Sequence, residues 1–163
     1  MSLLMRAPQA TDLAAIMRIE RAGFTPDEAA SEESMAERIK VIPDTFIVAE
    51  KDGQLAGYIV GPAIGVRYLT DDLFAHLTPN AAADKALSVL SLAVDPDLRG
   101  QGVGGKLLTA FAARAKEQGR ELISLTCLNR LVPYYVEHGY VNEGMAASTH
   151  AGEIWYNMIL KVQ

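Results

Sequence analysis

The sequence predicts one α/β (α+β) domain: an antiparallel N-terminal half, then a strand–helix–strand–helix–strand–strand half. Three observations predict it. Lys51-Asp52-Gly53 is a hairpin signal between two apolar runs, and residues 86–94 form a nine-residue apolar run broken only by Ser88 and Ser91. Directly after a glycine-rich loop, the apolar period then changes from strand-like to helical.

Taken in order, Leu3 to Ala7 is short, apolar and followed by Pro8, which fits a strand. Thr11-Asp12 offers a cap for a helix carrying Leu13, Ile16, Met17 and Ile19 and ending near Gly23. The polar stretch Thr25 to Glu33 reads as a loop. A second helix is expected over Glu32 to Val41, stopped before Pro43. Thr45 to Glu50 and Leu55 to Gly61 are the two strands of the hairpin. Residues Val66 to Ala83 stay ambiguous between a strand ending at Tyr68-Leu69 and a short helix over Thr70 to Leu77. Ala86 to Val94 reads as a central strand, because burial on both faces removes the polar alternation.

From Gly104 to Gln118 a helix is expected, with Leu107, Leu108, Phe111 and Ala115 on one face and Gly119 as its stop. Glu121 to Cys127 is the next strand. Leu131 to His138 is a short helix with Pro133 in its first turn, where the missing N–H costs little. Tyr140 to Ala146 and Glu153 to Val162 are two final strands.

The bulk numbers narrow the function. A chain of 163 residues suits a single domain over residues 1–163, and 50% hydrophobic with 21% charged residues is an ordinary globular balance. The net charge of −5 is scattered, with no basic face for nucleic acid. One cysteine permits no internal disulfide, and there is no signal-peptide pattern or membrane-length apolar run. The expectation is a cytoplasmic protein that binds neither nucleic acid nor membrane, with a homodimer left open.

The informative segment is Asp95-Pro96-Asp97-Leu98-Arg99-Gly100-Gln101-Gly102-Val103-Gly104-Gly105-Lys106. It lies between a buried strand and a helix, so its glycines expose backbone N–H groups at a helix N-terminus. That terminus, with Arg99 and Lys106 nearby, is a site for phosphate. Three patterns compete for it. Gly100 to Lys106 fits the start of a nucleoside-triphosphate loop, but Leu107 stands where a Ser or Thr must hold magnesium. Gly100, Gly102 and Gly105 fit G-x-G-x-x-G, yet the next strand ends in Thr126-Cys127-Leu128 with no acid for a ribose. The third, Arg-x-x-Gly-x-Gly, is met by Arg99, Gly102 and Gly104.

With this third pattern the sequence resembles the GNAT superfamily of acyl-CoA N-acyltransferases. Leu92-Ala93-Val94 before the loop, Asn129, and Tyr135-Val136-Glu137-His138-Gly139-Tyr140 fill that family's other places, in the right order along the whole chain. The resemblance implies a mixed, mostly antiparallel sheet of about seven strands flanked by about four helices. It implies acetyl-CoA as donor and a small-molecule amine as acceptor, attacked directly in a ternary complex. Glu20 to Phe24, Tyr68-Leu69-Thr70 and Cys127 to Tyr135 look like the arylalkylamine (serotonin-type) N-acetyltransferase branch. That branch has two histidines on the central strand where this chain has Ser88 and Leu90. A protein N-terminal or lysine acetyltransferase is the alternative, and a non-catalytic acyl-CoA sensor is an alternative of another class.

By the same resemblance, the amides of Leu92 and Val94, flanking Ala93, bind the pantetheine or thioester carbonyl oxygen. Gln101, Gly102, Val103, Gly104 and Gly105 hold the pyrophosphate beside Arg99, Gly100 and Asn129. Tyr135 is the expected proton donor to the leaving thiolate. An attacking amine must lose its proton, since alkylamines are protonated at neutral pH. Glu20, a carboxylate on the apolar face of the first helix, is the candidate base, and Ser88 a candidate for ordering a water. His76, His138 and His150 read as surface or core positions. Cys127 lacks an adjacent His or Asp to activate it as an acyl carrier. Phe24, Tyr58, Tyr68 and Trp155 are candidate pocket aromatics, Tyr134 reads as core or pocket lining, and no metal-ligand spacing occurs.

Overall fold

The computed structural model describes residues 2–163. Among these residues nine strands form two sheets. The first, in the order β1 (Leu4–Arg6), β2 (Phe46–Lys51), β3 (Gln54–Val60), β6 (Ser91–Val94), is antiparallel throughout. The second runs β4 (Ala63–Ile64), β5 (Ala86–Ser88), β7 (Leu122–Leu128), β9 (Trp155–Lys161), β8 (Val141–Met145). Its only parallel pairing is β5 with β7. Four helices complete the fold: α1 (Leu13–Gly23), α2 (Glu32–Val41), α3 (Val103–Glu117) and α4 (Val132–Glu137).

The mixed fold and the helix count match the sequence reading, and the strand count is higher for two reasons. The apolar run 86–94 is not one strand. The Val89 amide donates to the Ser124 carbonyl of β7 at 3.0 Å, while the next amide, Leu90, donates to the Val60 carbonyl of β3 at 2.8 Å. Consecutive residues thus bond to different sheets, and the run is apolar because both pieces are interior. The second addition, β4, follows from Gly61. A Cβ there would stand 1.8 Å from the Ser88 carbonyl oxygen, so only glycine lets the chain cross β5 so closely. Between Val66 and Ala83 neither expected element forms: there is no strand at Tyr68-Leu69, and a single 3-10 turn, Asp71–Phe74, replaces the short helix.

The core lies on both faces of the first sheet. Alternation along β2 sends Phe46 and Val48 toward α1 and α2, where they meet Ile16, Met17, Ile19 and Met35. Ile47 and Ala49 point the other way, onto Leu107, Leu108 and Phe111 of α3. Asp12 does not cap α1 with its side chain. Its carboxylate is taken by Arg6, at 2.8 and 3.0 Å, and by the Gln9 amide at 2.7 Å. Ser31 caps α2, accepting from the Ser34 amide at 3.0 Å.

Candidate active site

The sheet switch at Val89-Leu90 sends β6 away from β7 and opens a cleft between the two sheets. β6 is the outer strand of its sheet. Asp95 N–H bonds the Ala56 carbonyl at 2.8 Å, and Tyr58 pairs with Ala93. Alternation then directs the Ala93 amide into the sheet and leaves those of Leu92 and Val94 on the open edge, facing the cleft.

At the end of the cleft, Gly100 and Gly102 adopt left-handed φ of 80° and 82° and turn the chain into α3. Gly102 is the N-cap and offers no side-chain acceptor, so the first amides of this 15-residue helix point outward as an anion site. A cavity of about 510 Å³ fills the space, lined by Leu92 to Val94, Arg99, Gly100, Gly102 to Gly105, Tyr134, Tyr135 and His138. Gln101 and Asn129, expected beside the pyrophosphate, are exposed and do not line this cavity, while Arg130 does. Lys106 lies outside the lining.

Two glycines of the loop have a further role. A Cβ on Gly104 would stand 2.5 Å from the Tyr134 hydroxyl, and one on Gly105 would stand 2.9 Å from His138 Nε2. Their absence lets α4 sit directly on the start of α3. The ring nitrogen His138 Nδ1 lies 2.8 Å from the Tyr134 carbonyl and donates to it, which holds the ring with Nε2 toward Gly105.

Behind this cavity is a smaller one, of about 100 Å³, and Tyr135 lines both. Tyr135 is 8% exposed, with its ring edge-on to Tyr134 and Tyr140 at centroid distances of 5.2 and 5.6 Å. Burial pushes its phenol up from the ordinary tyrosine range, so it stays protonated at neutral pH. Cys127, beside it, has its thiol pushed up to about 11 by burial.

The smaller cavity has aromatic walls and a polar end. Phe24, Phe74 and Trp155 line it, and His150 stacks on Phe74 with centroids 5.3 Å apart and planes 7° from parallel. His150 Nε2 is buried without a hydrogen-bond partner among the described residues. Glu20 lies at the polar end, 1% exposed. Its oxygens accept from the Tyr58 hydroxyl, from the Ala30 amide at 2.9 Å and from Ser91 Oγ at 3.3 Å. Arg38, equally buried, donates to Ser91 Oγ at 3.0 Å.

Several expectations change in this geometry. Ser88 lines neither cavity; its hydroxyl donates to the Pro62 carbonyl at 2.7 Å and fixes the β4 crossing. Tyr58 is core and belongs to Glu20, and Tyr68 is outside, bonded to Glu143 at 2.6 Å. His150 and Arg38 were missed. No motif marks either residue, and the only signal for Arg38 is a cation among the apolar positions of α2, where burial needs a partner. No group of metal-ligating side chains occurs among the described residues, and no helix is long and apolar enough to cross a membrane.

A sheet split beside a helix terminus suited to an anion, with a second cavity behind it, is an arrangement that suits a transferase taking an acyl group from a phosphate-bearing carrier. The chain belongs to the acetyltransferase (GNAT) family, whose sequence profile matches residues 13–140. Its members transfer acyl groups from coenzyme A, and this chain is an enzyme of that kind. No curated protein matches it in sequence. Among solved structures, the loading GNATL domain of CurA from Lyngbya majuscula is similar in fold, with TM-score 0.88 and 16% identity over 100% of this chain and 99% of that one. Ard1 from Thermoplasma volcanium gives TM-score 0.80 and 20% identity over 100% and 99%. YncA, an acetyltransferase from Salmonella typhimurium solved with acetyl-CoA, gives 0.70 and 16% over 100% and 95%. At such identities the likeness establishes the fold, not the acceptor.

Proposed function

We propose that the chain is a cytoplasmic, single-domain N-acetyltransferase that moves acetyl from acetyl-CoA to the primary amine of a small molecule. An aromatic alkylamine is the acceptor type that the walls support best. One observation carries this reading: the cavity at the start of α3 and the smaller, aromatic-walled cavity both have Tyr135 in their walls. A small cavity set behind the larger one favours a small acceptor over a protein surface.

Acetyl-CoA supplies an activated thioester when bound. In this reading the loop Gly100 to Gly105 and Arg99 hold its phosphates, and the amides of Leu92 and Val94 hold the thioester carbonyl. Tyr135, kept protonated by burial, gives its proton to the departing sulfur. Glu20 already accepts three hydrogen bonds, so it acts as a positioning residue for Tyr58 and Ser91. The unpaired His150 Nε2 takes the proton of the entering ammonium. Cys127 stays a thiol, so transfer needs no acyl-enzyme.

The test is acetyl-CoA-dependent thiol release against tryptamine, tyramine, phenethylamine, spermidine, lysine and short peptides. Turnover on free amines is the expected result. Turnover confined to peptides moves the acceptor to proteins, and acetyl-CoA binding without any turnover favours a sensor.

A further inference from the structure

Arg38 is the most costly residue in the structure to leave without a purpose. It lies on α2, is 1% exposed, and forms part of the wall of the smaller cavity. Its one hydrogen bond among the described residues runs from Nη1 to Ser91 Oγ. A guanidinium carries a planar fork of N–H donors, and buried charged donors need acceptors. The rest of this fork has no protein acceptor among the described residues.

Glu20 does not fill that need. The two charges make no direct ion pair, because Ser91 stands between them, donating onward to Glu20 at 3.3 Å. Both Glu20 oxygens are committed to Tyr58, Ala30 and Ser91. Glu20 balances the buried charge at a distance: burial lowers the Arg38 pKa and the charge of Glu20 opposes this. What remains is a cation with free, coplanar donors at the polar end of an otherwise aromatic cavity. The group that complements such a fork is a carboxylate, which accepts two parallel hydrogen bonds. At the mouth, Glu28 holds one oxygen on the Thr25 amide at 3.0 Å and supplies negative charge for an ammonium.

We propose that Arg38 binds a carboxylate on the molecule that occupies the smaller cavity. This rests on the acyl-transfer reading above and deepens it. The carboxylate has two chemical sources. It is either the acid group of the acceptor, making that acceptor an amino acid rather than a plain amine, or a terminal acid on the acyl chain.

The experiment measures kcat/KM and ligand-induced thermal shift in two arms. One arm pairs phenylalanine with phenethylamine and tryptophan with tryptamine, all with acetyl-CoA. The other pairs malonyl- and succinyl-CoA with acetyl- and butyryl-CoA. Wild type is compared with Arg38→Met and Arg38→Lys, with acetyl-CoA affinity as the control for folding. In one arm the carboxylate-bearing member is preferred by at least about tenfold, and the preference collapses in Arg38→Met while acetyl-CoA affinity holds. The arm that responds identifies the source. If Arg38→Met does not fold, the wild-type preference and its weakening in Arg38→Lys decide the matter. No preference in either arm, or one that survives Arg38→Met, overturns the proposal. Plain amines acetylated as well as amino acids, together with acetyl- and butyryl-CoA used as well as malonyl- and succinyl-CoA, would overturn it and leave acyl transfer standing. Failure of wild type to bind acetyl-CoA would overturn both.

Discussion

The hydroxyl of Tyr134 stands 2.5 Å from where a Cβ on Gly104 would be, so two distant motifs meet at one point. That contact predicts a coupling. Gly104→Ala pushes Tyr134 into the cleft and weakens acetyl-CoA binding by about tenfold. Tyr134→Phe, which removes the oxygen, restores most of the loss. The coupling in a double-mutant cycle of acetyl-CoA affinities should reach about 1 kcal/mol or more. Additive effects would show that the contact does not shape the cleft.

Gly61 and Ser88 separate a structural role from a catalytic one. Gly61→Ala drives a Cβ to 1.8 Å from the Ser88 carbonyl oxygen, both atoms in backbone-constrained places, and should cost about 3 kcal/mol or more in urea unfolding. Ser88→Ala loses one hydroxyl bond, a cost of about 1 kcal/mol, and leaves kcat unchanged because the residue lies outside both cavities. A large loss of kcat in the folded Ser88→Ala enzyme would return Ser88 to the chemistry.

Much of this was legible in the sequence. The helix ends near Gly23 and Gly119 followed from the glycines, and the turn into α3 followed from the glycine-rich loop at Gly100 to Gly105. Tyr135 is brought to the junction of the cavities by the short helix that Pro133 opens. What stayed hidden depends on long-range geometry. Apolar continuity over residues 86–94 records burial, not pairing, so the sheet switch at Leu90 leaves no local mark. Arg38 and His150 come to one cavity from α2 and from the β8–β9 connection, and no spacing rule links elements so far apart.

Cys127 lines the smaller cavity with Tyr135, and its thiol is pushed up to about 11 by burial. It should alkylate slowly with iodoacetamide at neutral pH, and faster as the pH rises, as long as the fold survives. After incubation with acetyl-CoA alone, intact-mass measurement should find no acetyl adduct. An adduct mapped to Cys127 would replace direct transfer by an acyl-enzyme route.

Arg6 ties β1 to the turn before α1 through Asp12, whose carboxyl it holds below the ordinary aspartate range by hydrogen bonding. The folded pKa lies below the unfolded one, so the stabilisation is present above about pH 3.9 and is lost as the pH falls through the folded value. Asp12→Asn should cost about 1 kcal/mol at neutral pH, and the gap to wild type should close in acid. A gap independent of pH would assign the cost to something other than the charge.

The most direct test of the central claim compares wild type with Tyr135→Phe in acetyl-CoA-dependent acetylation of an amine that turns over. Coenzyme release and acetyl-CoA affinity are measured on the same preparations. The expected result is a fall in kcat of about 100-fold with acetyl-CoA affinity unchanged, the signature of a lost proton donor. Unchanged turnover in Tyr135→Phe would contradict it.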